Sequence, residues 1–347
     1  MGTKHLWSAS APAVVLALTA AMVAGAACSD RTNEPLTGAA TASTTVVVPD
    51  IARDSTTTPA PVSPPPPAPQ PGPTDGPWNR DLWAAYSGDG LSFGEASRFV
   101  ERAGVPCVIR DNQGRLVAVF QWFPFDDASA FDQVAVAFSE DEGATWSSPA
   151  RVVVAGMPAN LMRPFDPTLV ELEDGRYRLY FTANERTGGG RAAIYSAVSS
   201  DGLAYTFEPG TRFAPDAGTV DASVVRFGGT WHLFSHTMEA NTGRGFHAVS
   251  TDGLSFEELP MVDAGSGRQW IGNAVVQGGR LRYYGSGRDG IWSATSRDGS
   301  AWSLDSGRRL SGGDPSAVVM SSGEVMLVSV GPVRDDAGPN PFRSPPP

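Results

Sequence analysis

Two cysteines in 347 residues exclude a disulfide framework. A bridge between Cys28 and Cys107 would have to span a long Pro-rich stretch, so Cys107 reads as a buried free thiol. No base pairs with it, which argues against nucleophilic work. Lysine is almost missing. Lys4 is the only one and every other basic residue is Arg, which reads as a compositional bias of the genome and not as function. Charged residues make up only 18% of the chain, with a formal net charge of −11. That balance disfavours nucleic acid and an anionic membrane surface. The four His show no metal-ligand spacing, so no metal is assigned and no cofactor is required. What is abundant is Gly (39) and Pro (29), a loop-rich, β-type composition with a disordered part.

The N-terminus reads as an export signal. Lys4 and His5 precede an apolar run from Ala11 to Ala27 that is short for a membrane span and ends in small residues. Gly25-Ala26-Ala27-Cys28 resembles the lipobox of bacterial lipoproteins, which implies lipidation at Cys28; Gly25 departs from the Leu-like residue of that pattern. Ordinary cleavage after Ala24-Gly25-Ala26 is the alternative. Residues 1–27 are thus a signal peptide. Residues 28–77 are a Pro/Thr/Ala-rich linker whose composition cannot bury a core and favours extended chain, a stalk after a lipid anchor. Residues 335–347 are a Pro-rich tail, expected to be loose.

Between them, residues 78–334 carry one turn motif five times. It reads Ser-x-Asp-Gly-x-x-aromatic at Ser87–Phe93, Ser199–Tyr205, Ser250–Phe256 and Ser296–Trp302, with a copy one residue longer at Ser139–Trp146. Asp89, Asp141, Asp201, Asp252 and Asp298 stand 52, 60, 51 and 46 residues apart. A period of that size suits a four-stranded propeller blade. In each copy the Asp accepts backbone N–H groups ahead of it and the Gly takes a positive φ. These Asp are therefore structural.

A second repeat accompanies the first. Apolar strands start at Pro106, Pro167, Ala222, Asn273 and Pro315, and each runs through a Gly-centred turn into an alternating strand. The last pair, near 315–330, has no Asp turn after it, and the Asp turn at 87–93 has no pair before it. The N-terminal strands at 83–100 therefore complete the fifth blade and close the ring without exposed edges. The expectation is an all-β, five-bladed β-propeller.

In such a blade the inner-strand starts open on one face and the Asp turns lie on the other. The equivalent positions are Val105, Asp166, Asp221, Gly272 and Asp314, so three carboxylates converge on a central funnel. Each Asp capping its own turn is the structural alternative. Around the mouth, Trp122, Phe123, Phe125 and Trp270 offer faces for stacking on a sugar. Arg163, Asn184, Glu185, Arg186, His236, Glu239 and Arg268 offer hydrogen bonds.

Phe165-Asp166-Pro167, Val220-Asp221-Ala222, Gly313-Asp314-Pro315 and the five turns resemble the five-bladed glycoside hydrolases of the arabinanase/xylosidase and invertase/levansucrase groups, over most of residues 80–334. The resemblance implies three acidic roles on consecutive blades: a base or nucleophile, an Asp that tunes pKa and orients sugar, and a Glu acid. The second role falls on Asp166, where Arg163-Pro164-Phe165-Asp166-Pro167 echoes the Arg-Asp-Pro of the invertase group. The third falls on Asp221, which is Asp instead of Glu. The first falls on Val105, which has no acid. Asp126, Asp127, Glu185, Glu239 or Asp314 are candidates to stand in. The resemblance also leaves open a central water or ion ordered by His232, His236 or His247. The stretch from Val108 to Pro149 is similar to a sialidase blade with its Asp box, but the blade count and the absence of an Arg-Ile-Pro step speak against that activity.

Two functions follow from these residues. One is a glycosidase acting on glycans outside the cytoplasm through Asp166, Asp221 and Asp314. The other is a non-catalytic carbohydrate- or protein-binding propeller that has lost its base. Either is expected as a monomer in the cell envelope, held at the membrane by its lipid anchor, with a glycan or other small polar ligand as partner.

Overall fold

Alternating apolar residues broken by Gly-centred turns produce antiparallel strands here, as their period of two requires. The structure, a computed structural model, describes residues 76–186 and 191–342. Cys28, the signal segment and the linker up to residue 75 lie outside the described residues. Among the described residues, twenty-one strands follow one 3-10 turn at Pro77–Asn79. In chain order they begin with β1 (Arg80–Ser87) and β2 (Ser97–Val100). Blade one is β3 (Ala103–Arg110), β4 (Leu116–Trp122), β5 (Gln133–Ser139) and β6 (Ala150–Arg151). Blade two is β7 (Val153–Ala155), β8 (Phe165–Glu171), β9 (Tyr177–Ala183), β10 (Ala193–Ser199) and β11 (Ala204–Phe213), with β7 added parallel to β11. Blade three is β12 (Val220–Phe227), β13 (Thr230–His236), β14 (Arg244–Ser250) and β15 (Glu257–Asp263). Blade four is β16 (Arg268–Gln277), β17 (Arg280–Gly287), β18 (Trp292–Ser296) and β19 (Trp302–Leu304). Blade five joins β20 (Gly313–Val319) and β21 (Val325–Val333) to β1 and β2, in the order β2-β1-β21-β20.

The ring is therefore closed as expected, by N-terminal strands. β1 pairs antiparallel with β21 from Arg80↔Val333 to Ser87↔Val325. The tail differs from its expectation. Residues 335–342 pack onto the first described residues, because Gly338 exchanges hydrogen bonds with Asn79 and accepts Trp78 Nε1 at 3.0 Å. Asp336 adds ion pairs to Arg102 at 3.0 Å and to Arg334 at 2.7 Å. Polar partners far away in sequence override a loose-looking composition.

The five turns do more than reverse the chain. In the blade-three copy, Ser250 Oγ donates to Asp252 Oδ1, which also accepts the N–H groups of Leu254 and Ser255. Each turn also sits against the preceding blade. Tyr180 Oη of β9 donates to Gly253 O at 2.7 Å, and Tyr284 Oη of β17 donates to Gly90 O at 2.8 Å. Gly202 lies against Phe138, and Gly299 against His232. The apolar core follows the same plan, filling the spaces between neighbouring sheets.

Gly253 has φ +71, and a Cβ there would lie 2.8 Å from Tyr180 Oη. Gly228 has φ +60 with nothing within 4 Å. Gly228→Ala should cost about 1 kcal/mol from backbone strain alone. Gly253→Ala should cost about 2–3 kcal/mol, because it also breaks an interblade clasp. Urea unfolding measures both, and equal costs would mean that the clasps do not hold the ring.

Candidate functional site

Each inner strand starts with a bulge. The register slips between Gly104 and Cys107, Phe165 and Thr168, Val220 and Ser223, and Gly313 and Ser316. At the slips Val105, Asp166, Asp221 and Asp314 take left-handed φ values of 46°, 50°, 54° and 45°. Asp tolerates this conformation, but a β-branched residue is strained in it. Val105 is thus held against its preference.

Two residues further on, a side chain from each blade binds the next inner strand. Cys107 Sγ accepts Leu169 N–H at 3.2 Å, and Thr168 Oγ1 donates to Ala222 O. Ser223 Oγ accepts Ala274 N–H at 2.9 Å, and Asn273 brackets Ala317 with bonds of 2.7 and 3.1 Å. Ser316 Oγ closes the circle on Val108 N–H at 2.9 Å. This circle corrects the alignment of blade four. Asn273 stands with Ser223 and Ser316, so the equivalent of Asp221 is Ile271 and not Gly272. The bulge of β16 spans Arg268 to Gly272 and shifts the strand by one residue. Gly272 serves another need there, since a Cβ would lie 2.1 Å from Tyr284 O.

The carboxyl groups meet at two connected spaces. A floor cavity of about 20 Å³ is lined by Val105, Asp166, Asp221, Ile271 and Asp314 among others. It has room for roughly one water. Above it, a pocket of about 600 Å³ is walled by Arg80, Gln121, Phe123, Asp132, Arg163, Asp166 and Asp314, with Val105 between the two acids. Asp221 lines the floor only.

None of the three Asp caps its own turn. Burial pushes the Asp166 carboxyl up to about 7, and the charge of Asp314 pushes the same way. The Thr182 hydroxyl, the Asp221 N–H and Arg163 pull against that rise. Thr182 Oγ1 is fully buried without a hydrogen bond of normal geometry, yet it lies close enough to favour the charged carboxylate. Asp221 is raised well above the carboxylate range by burial and then by Asp166 and Asp314. Asp314 is raised by burial against Ser286 and Arg80. Burial and the mutual repulsion of the carboxyls thus work together to favour keeping protons in the funnel.

The other predicted residues are dispersed. Arg163 lines the pocket and pairs with Asp132. Glu185, Arg186 and Glu239 are exposed on loops, and Arg268 gives its guanidinium to Ala264 O at 3.0 Å. Trp122 is half-buried and packs on the core between blades five and one. Trp270 is corrected: it is fully buried among Phe234, Tyr283, Trp292 and Trp302, so its ring has no free face. Phe125 lies under the Arg102 guanidinium at 3.8 Å, which occupies its face. His236 is buried with Nδ1 unpartnered. His232 and His247 pair at 3.0 Å beneath Gly299, on the Asp-turn face and away from the funnel. Among the described residues no three His, Cys, Asp or Glu are grouped to hold a metal ion. Sequence reasoning missed Arg80, Gln121 and Asp132. Only their meeting at the pocket wall, from three distant segments, marks them.

No protein-family model and no curated protein matches the sequence. Solved structures do match the fold. A protein of unknown function from Dyadobacter fermentans superposes with a TM-score of 0.51 at 16% identity, covering 72% of this chain and 84% of that one. A family 117 glycoside hydrolase from Zobellia galactanivorans gives 0.51 at 14% identity, covering 73% and 91%. The chain is a five-bladed β-propeller with glycoside hydrolase propellers among its structural neighbours.

The carboxyl cluster has a thermodynamic signature. Asp166 titrates near 7 when folded and near 4 when unfolded, so between those values only the folded protein keeps the proton. Stability should therefore fall as pH rises from about 4 to about 7. Asp166→Asn should make that slope shallower in thermal melts taken across the range, leaving the part due to Asp221 and Asp314. An unchanged slope would place the Asp166 carboxyl in a solvated setting instead.

Proposed function

We propose that this chain is an exported glycoside hydrolase-like propeller that cleaves glycans in the funnel. One observation carries the proposal: two buried carboxyl groups, Asp166 and Asp314, both raised by burial, line one pocket of about 600 Å³. Glycoside hydrolysis needs a carboxylic acid and a carboxylate flanking one bond. Phe123 supplies an apolar wall, and Gln121, Arg80 and Arg163 supply polar ones. A second reading, a glycan-binding propeller without catalysis, is favoured by Val105 at the place where the resemblance implies an acid. Export and lipid attachment at Cys28 rest on the N-terminal sequence. They are tested by whether a Cys28→Ser variant leaves the membrane fraction.

Purified protein incubated with arabinans, xylans, fructans and sialosides should release reducing ends from one of them. An Asp166→Asn/Asp221→Asn variant should lose at least about a hundredfold in rate. Tight binding of a glycan without any release would favour the binding propeller.

A further inference from the structure

The three funnel carboxyls are not equivalent. Asp166 and Asp314 reach both the floor cavity and the wide pocket, whereas Asp221 reaches the floor alone. Asp314 belongs to blade five and Asp166 to blade two, and blade one stands between them. Its contribution to that gap is the apolar side chain of Val105, so no charge or hydrogen-bond donor of that residue separates the two acids. The wide pocket holds a further sign of an occupant. Gln121 lines it, is 5% exposed, and leaves Oε1 without a partner while Nε2 donates to Asp132 at 3.0 Å.

We propose, resting on the hydrolase reading above, that Asp314 takes a proton from the attacking water while Asp166 gives one to the leaving oxygen, so that the working pair spans blades five and two across Val105. The step balances. A water O–H bond breaks and its proton goes to the Asp314 carboxylate. The water oxygen bonds to the anomeric carbon. The glycosidic C–O bond breaks, and the leaving oxygen keeps the electron pair and takes the Asp166 proton. Proton exchange with solvent then returns both groups to their starting states.

The surroundings fit these roles. Asp314 N–H donates to Ser286 Oγ at 2.8 Å, which fixes the backbone beneath the carboxyl. Arg80 lines the same pocket and pulls the Asp314 carboxyl toward ionisation, against the burial that raises it. Asp166 faces the Asp314 charge, the Asp221 N–H, Thr182 and Arg163, and burial outweighs the groups that would ionise it. Direct attack of water at the anomeric carbon is a single displacement, so the assigned step inverts the configuration there. Asp221, out of reach of the wide pocket, is a positioning residue.

Steady-state kinetics on the glycan cleaved by the unaltered protein test the assignment. Asp314→Asn should lower kcat about a thousandfold with KM within a few-fold. Asp314→Glu, which keeps a carboxyl if the amide disturbs folding, should recover part of that rate. The rate of the unaltered protein should fall as pH rises through about 7, where Asp166 loses its proton. Proton NMR of the first product should show the inverted anomer. Full activity in Asp314→Asn beside a dead Asp166→Asn, or a retained anomer, overturns the assignment and leaves the hydrolase reading standing. No cleavage of any glycan by the unaltered protein overturns both.

Discussion

The circle of five side chains behind the funnel is the constraint on which the site depends. Among the described residues no ladder of backbone hydrogen bonds joins one sheet to the next. Cys107, Thr168, Ser223, Asn273 and Ser316 provide that link at the inner strands, each reaching into the next blade. They are buried, so each bond is made where water cannot compete and its loss would leave an unsatisfied backbone group. The circle lies two residues behind the bulged positions. It therefore fixes both the spacing of the inner strands and the direction in which the funnel carboxyls point. At the opposite face the Ser-x-Asp-Gly turns clasp each blade to the one before it. The ring is tied at both ends.

Within that frame the carboxyls oppose one another. Bringing Asp166, Asp221 and Asp314 together at low solvation costs free energy, which ordinary packing does not explain. Val105 adds a second cost, a β-branched residue in a left-handed conformation. Strain and buried charge in one cleft are what a reactive site collects. Val105 cannot work as an acid or base, but it keeps blade one apolar between two acids that can.

The fold was largely legible in the sequence, because its determinants are local. Asp252 and Gly253 specify their turn within a few residues, and the repeat count then sets the number of blades. Closure by the N-terminal strands followed from an unpaired turn at 87–93, although β1 begins at Arg80, three residues before the expected start. The funnel acids were legible for the same reason, as a repeat of position. What failed was non-local. Trp270 alternates like any strand residue, and nothing in the sequence says that its side faces the core. Gly272 was misaligned because the bulge in β16 is wider than in the other blades. Asn79 and Gly338 pair across the ends of the chain, which a Pro-rich composition hides.

The central claim is that burial and mutual repulsion raise the funnel carboxyls above the ordinary range. Its direct test is carbon-13 NMR titration of the aspartate side-chain carboxyls, with Asp166 assigned by its Asn variant. The account predicts that Asp166 titrates at about 7, that its midpoint drops in Asp314→Asn, and that Asp89 on the other face titrates at about 2. An Asp166 midpoint near 4, unmoved by loss of Asp314, would contradict it.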